Sequence, residues 1–94
     1  MHKVILKGHI DVPRDKMDAV RHALPVHIQL TLAEPGCISF EVIEDENLAG
    51  RFLVSEVFET KQDFNAHQER TRNSSWFQLT KNFPREYSIT YSST

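Results

Sequence analysis

Two residues of this sequence combine reactive chemistry with telling surroundings, His67 and Glu56. His67 falls on one side of a predicted helix together with Phe64 and Thr71, and imidazole titrates close enough to neutrality to take up and return a proton as a general base. Glu56 alternates with Phe52, Val54 and Phe58 along a predicted strand, so its carboxylate lies on the apolar, aromatic face. An isolated charge there costs several kcal/mol, so Glu56 must be paired, hydrogen-bonded or turned toward a wet cavity. Trp76, Phe40, Phe52 and Phe77 supply flat apolar surface that either walls a pocket or fills the core.

The other reactive side chains have plainer readings. His9 falls on the more polar face of a strand and reads as a surface or interface residue. His22 and His27 are five residues apart on either side of Pro25, a spacing that does not put two metal ligands on one helical face, and no metal is expected. Arg70 and Arg72 either recognise an acidic group near a pocket mouth or form a solvated helix face. Cys37 is the single cysteine, which excludes an intrachain disulfide; a lone thiol opening a strand is usually inert.

Positioning these groups requires a scaffold, and hydropathy periodicity supplies one. Lys3 to Val12 alternates as a strand, with Gly8 on its apolar face marking either a packing accommodation or room for a ligand. Pro13 opens a helix with Met17, Val20 and Leu24 as its stripe. Pro25 should break it, with Val26, Leu30 and Ala33 resuming as a second short helix up to Glu34-Pro35-Gly36. Cys37 to Glu44, with Ile38, Phe40 and Val42 on one face, and Arg51 to Glu59 form a hairpin across a polar connection at 45–50. Thr60 with Asp63 approximates a capping box for a helix through about Arg72. Ser74 or Ser75 can cap a short helix through Trp76, Phe77 and Thr80, stopped by Pro84; Tyr87, Ile89 and Tyr91 then alternate as the last strand.

This order is β-α-β-β-α-β, an α+β ferredoxin-like fold: one antiparallel sheet with the helices on one face, a single domain over residues 1–94. Ile5, Ile43, Leu53 and Val57 would lie on the other face, and a homodimer that covers them is the simplest solution. A chain of 94 residues, 39% hydrophobic and 26% charged, is globular but builds a thin core. The net charge of −2 with scattered basic residues argues against nucleic acid. Neither a membrane span nor a leader sequence is read, and a cytoplasmic location is expected.

Residues 34–77 carry a further signal. Glu34-Pro35-Gly36-Cys37, then Phe40-Glu41-Val42 and Asp45, then Phe52, Glu56 and Phe58, and finally Phe64-x-x-His67 follow one another in an order and spacing that resembles the antibiotic biosynthesis monooxygenase family. The resemblance implies a dimeric α/β barrel and, for many members, oxygenation of aromatic or quinol-type substrates without metal or flavin. Trp76 stands where many members carry a second histidine, and the first strand lacks the asparagine characteristic of haem-degrading relatives.

Such chemistry has definite requirements. Triplet O2 reacts slowly with ordinary molecules, so the substrate must become electron-rich on losing a proton, as a dihydroxy-aromatic does, and the pocket must hold a base and exclude bulk water. With the third strand beneath the helix as in that family, the resemblance implies His67 as the base, Glu56 orienting it and Trp76, Phe40, Phe52 and Phe77 lining the pocket, with no cofactor. Other readings are a structural His67–Glu56 bond tying helix to sheet, a non-catalytic small-molecule-binding or stress-associated dimer, and haem binding.

Overall fold

The computed structural model describes residues 2–92. Its four strands are β1 (Lys3–Asp11), β2 (Cys37–Glu44), β3 (Arg51–Phe58) and β4 (Arg85–Ser92), and its helices are α1 (Met17–Leu32), α2 (Lys61–Arg72) and α3 (Ser75–Thr80). The strands form one antiparallel sheet in the order β2-β3-β1-β4, which is the ferredoxin-like arrangement expected. The helices cover one face, and Val4, Leu6, Ile10, Phe40, Val42, Phe52, Val54 and Phe58 from the sheet meet Val20, Leu24, Phe64 and Phe83 in the core. Among the described residues no helix is long and apolar enough to cross a membrane.

The first helical segment differs from the sequence expectation. Pro25 does not divide it: α1 runs unbroken through the proline, whose ring is exposed. Proline removes the bond to the carbonyl four residues back and costs about 3 kcal/mol in a helix interior. Here that carbonyl belongs to Arg21, itself exposed, so water can take the place of the lost donor. Because the helix keeps its phase, its buried stripe is Val20, Leu24, His27 and Thr31. The expected second stripe of Val26, Leu30 and Ala33 is on the solvent side, with Val26 59% and Leu30 52% exposed.

A second difference lies at the start of β2. Cys37 pairs with Phe58 and Ser39 with Val57, so an irregularity in the register leaves Ile38 as the extra residue. Ile38 is consequently exposed, not aligned with Phe40 and Val42.

Two glycines set approaches that matter for the site. Gly36 has φ +78°, and a Cβ there would overlap the Asp63 carboxylate, so the turn after α1 can lie against the first turn of α2. Gly8 pairs with Tyr87 of β4, and a Cβ at Gly8 would collide with the backbone and ring of that strand. Its small size is thus a packing accommodation, and the residue it accommodates lines the cavity described next.

Candidate active site

Thr60 caps α2 as expected, its hydroxyl accepting the Asp63 N–H at 3.0 Å. This start fixes the helical phase that turns Phe64 and His67 inward. The His67 side chain is only 3% exposed and lies against Phe58, with ring centroids 4.9 Å apart, while Phe40 meets it edge-on at 5.8 Å.

The hydrogen bond His67 makes is not with Glu56. Its Nδ1 pairs with Glu34 Oε1 at 2.7 Å. Glu34 follows the end of α1, in the turn that Gly36 presses against α2. Its other oxygen accepts from Arg70 Nε, and Arg70 Nη2 donates to Thr31 Oγ1 at 3.0 Å. Thr31 Oγ1 in turn donates to the His27 carbonyl at 2.8 Å. A carboxylate held by an arginine accepts only, which places the His67 proton on Nδ1 and leaves Nε2 with its lone pair. Glu56 Oε1 stands 3.6 Å from that Nε2, beyond hydrogen-bond distance.

Burial sets the charge states. Desolvation lowers the His67 pKa, opposed by the hydrogen bond to Glu34. Desolvation, reinforced by the nearby Glu34 charge, raises Glu56 to about 7. The site therefore sets an imidazole whose neutral form is favoured by burial beside a carboxyl group that titrates at about 7. Cys37 is half-buried and its thiol is pushed up by burial, the wrong direction for a nucleophile.

His67 and Glu56 border a cavity of about 290 Å³ between the sheet and all three helices. Of the residues singled out from sequence, His67, Glu56, Trp76, Phe40 and Phe77 line it together. Phe52 does not: it is 1% exposed and floors a separate groove under α1, beside Arg21 and Glu44. The cavity also takes Leu6, Val42 and Val54 from the sheet, Tyr87 from β4, Thr71 and Arg72 from α2, and His27 from α1. His9 is half-buried on the open sheet face opposite Leu53, and His22 is exposed.

Sequence reasoning missed Glu34, His27 and the role of Arg70. A signal for the first two was present: Val20, Leu24, His27, Thr31 and Glu34 follow one another at helical three- and four-residue steps. Assuming a break at Pro25 shifted the phase and hid it.

A ferredoxin-like sheet thus carries a His67–Glu34–Arg70 chain whose buried imidazole lies at an aromatic-walled cavity. Residues 3–78 match the model of the antibiotic biosynthesis monooxygenase family, and the chain belongs to that family. Solved structures share the whole fold. A Nitrosomonas europaea protein named for the same family is 22% identical with a TM-score of 0.84, over 97% of this chain and 90% of that one. A Bacteroides thetaiotaomicron protein of unknown function is 14% identical with a TM-score of 0.82, over 95% and 96% of the two chains. A protein from an uncultured marine organism, described as dimeric and ferredoxin-like, is 16% identical with a TM-score of 0.71, over 100% and 98%. No curated protein matches the chain.

Proposed function

We propose that this protein is a monooxygenase that hydroxylates a small hydroquinone or polyphenol with O2, using neither metal nor flavin, with His67 as its base. The observation that carries the reading is the Glu34–His67 bond of 2.7 Å, which leaves Nε2 as the proton acceptor at a cavity walled by Phe40, Trp76 and Phe77. A volume of about 290 Å³ is at the lower end for ligand pockets, roughly 300 to 1,000 Å³, which fits one or two fused rings.

In this mechanism a substrate hydroxyl gives its proton to His67 Nε2, and the Glu34 carboxylate stabilises the imidazolium. The aryloxide passes one electron to O2, and the resulting radical and superoxide combine to form a bond between a ring carbon and oxygen. His67 returns its proton to the peroxide. The O–O bond then breaks as the carbon loses its hydrogen, so water leaves and the carbon becomes a carbonyl. The diol loses four electrons and O2 gains four; one oxygen atom enters the product and the other enters water. The working form is a homodimer joined through the open sheet face, where Ile43 is 58% and Leu53 39% exposed.

The test is oxygen uptake by metal-free protein with reduced naphthoquinones and polyphenols, measured against spontaneous oxidation and against His67→Ala. Protein-dependent uptake lost in the variant is expected, with one atom of 18O from labelled O2 in the product. Uptake no faster than the control across the panel would move the assignment to a non-catalytic binding dimer of the same fold, and unchanged uptake in the variant would remove His67 as the base.

A further inference from the structure

Among the described residues, three buried side-chain polar atoms have no hydrogen-bond partner: His27 Nδ1, Glu56 Oε1 and Thr71 Oγ1. All three residues line the same cavity. A buried donor or acceptor left unpaired forfeits its hydration without replacement, and three around one space mark a place whose hydrogen bonds an occupant completes. Glu56 has His67 beside it. His27 is a separate matter: it comes from α1 and is 5% exposed. Its ring stacks on Trp76, with centroids 4.8 Å apart and planes 8° from parallel, and meets Phe40 edge-on at 5.5 Å. Phenylalanine would make the same contacts and leave no polar atom unpaired. Packing alone therefore does not account for an imidazole here.

We infer that His27 is a second ligand-binding residue of this cavity, hydrogen-bonding through its ring to a second oxygen substituent of a planar aromatic ligand whose first hydroxyl meets His67 and Glu56. The inference rests on reading the cavity as the site of an aromatic diol, and it adds a specificity rule: two oxygens, held by two imidazoles from different helices. The His27 and His67 centroids are 6.5 Å apart, and Phe40 is wedged edge-on against both rings, so their separation is fixed by packing. Burial, with Arg70 and His67 nearby, depresses the His27 pKa to about 4, so at neutral pH it offers a hydrogen bond without charge. That suits a hydroxyl or carbonyl oxygen over a carboxylate. The Thr71 hydroxyl, able to donate or accept, is a further unpaired group of the same cavity.

Trp76 is the only tryptophan, so its emission reports on this corner of the cavity directly. The full chain is titrated without oxygen, once with naphthalene-1,4-diol and once with 1-naphthol, which lacks the second oxygen. Wild-type protein should bind the diol about tenfold more tightly, the ratio given by one hydrogen bond of about 1.4 kcal/mol. His27→Phe keeps the stack on Trp76 and should bring the ratio to about one while leaving 1-naphthol affinity within about twofold. The same ratio in both proteins, or no quenching by the diol at millimolar concentration, would overturn the assignment. A second readout needs no variant: in 15N-histidine spectra of the wild type, the diol should shift two buried imidazoles and 1-naphthol one. A single imidazole shifted by both ligands refutes the role of His27. Oxygen uptake is scored separately. Diol binding that depends on His27 without oxygen consumption removes the oxygenase reading and keeps this one, and consumption with an unaltered ratio does the reverse.

Discussion

His67 and Glu34 are 33 positions apart in the chain and 2.7 Å apart in the fold, one from the middle of α2 and the other from the turn after α1. Arg70, one helical turn beyond His67, grips the second oxygen of the same carboxylate. The imidazole is thus oriented by a group that is itself held, an arrangement that supports charge on the ring once a proton arrives. Glu34→Gln keeps an acceptor for Nδ1 but removes the charge. It should lower kcat for oxygen uptake by roughly 10²-fold with a much smaller change in KM, the range expected when a positioned acid–base pair loses its orienting charge. Glu34 also raises the His67 pKa against the desolvation that lowers it. The acidic limb of the kcat/KM profile in Glu34→Gln should therefore move to lower pH, and a limb that stays in place would show that another group sets it.

Glu56 and His27 impose opposite pH dependences on folding. Burial raises Glu56 from 4.5 to about 7, so its contribution is fully present below pH 4.5 and is lost as pH rises through 7, by about 3 kcal/mol in all. Burial lowers His27 from 6.5 to about 4, so its contribution is present above 6.5 and is lost as pH falls through 4. Between those limits the two slopes largely cancel in the wild type. Single substitutions should separate them in urea unfolding at stepped pH. Glu56→Gln should gain stability as pH rises from 4 to 6.5, and His27→Phe should gain it as pH falls over that range. Parallel slopes in the two variants would contradict the assigned charge states.

Pro25 offers a test of the helix that carries His27 and Thr31. Its ring is exposed inside an unbroken α1, so Pro25→Ala restores one backbone donor without disturbing a packed surface. Stability should rise by about 1 to 3 kcal/mol, seen as a higher urea midpoint with an unchanged m-value. A loss of stability would mean that the proline holds a bend the packing requires.

The same residue explains which parts of the site were legible in the sequence. Strand alternation, the Thr60 cap, the α2 face with Phe64 and His67, and the apolar-face position of Glu56 all follow from local spacing, so the fold could be read directly, whereas the His67–Glu56 proximity followed only from the family resemblance. Glu34 and His27 were hidden because their phase depends on whether packing overrides a local helix breaker, and the role of Arg70 was hidden with them because its partner is Glu34. Val20 and Leu24 before Pro25, and His27 and Thr31 after it, bury enough surface to hold the helix through it. Ile38 shows the same limit in a strand: one extra residue at the start of β2 moves it from the inner face to solvent, and no local pattern announces the bulge.

The uncovered side of the sheet supplies the last prediction. Ile5 pairs with Val57 and Ile43 with Leu53, forming two cross-strand apolar rows on the face without helices. Ile43 is 58% and Leu53 39% exposed in the single chain, and a lysine placed among such rows would have to be desolvated in a sheet-to-sheet contact. Leu53→Lys points away from the core and the cavity, so the fold of one protomer should survive with little loss. Sedimentation equilibrium at micromolar concentration should give a dimer for the wild type and a shift toward monomer for the variant, with the weakening amounting to roughly 2 to 5 kcal/mol for a charge left unpaired in the interface. A wild-type monomer would show that these rows face water, and a variant that still dimerises fully would place the contact on another surface.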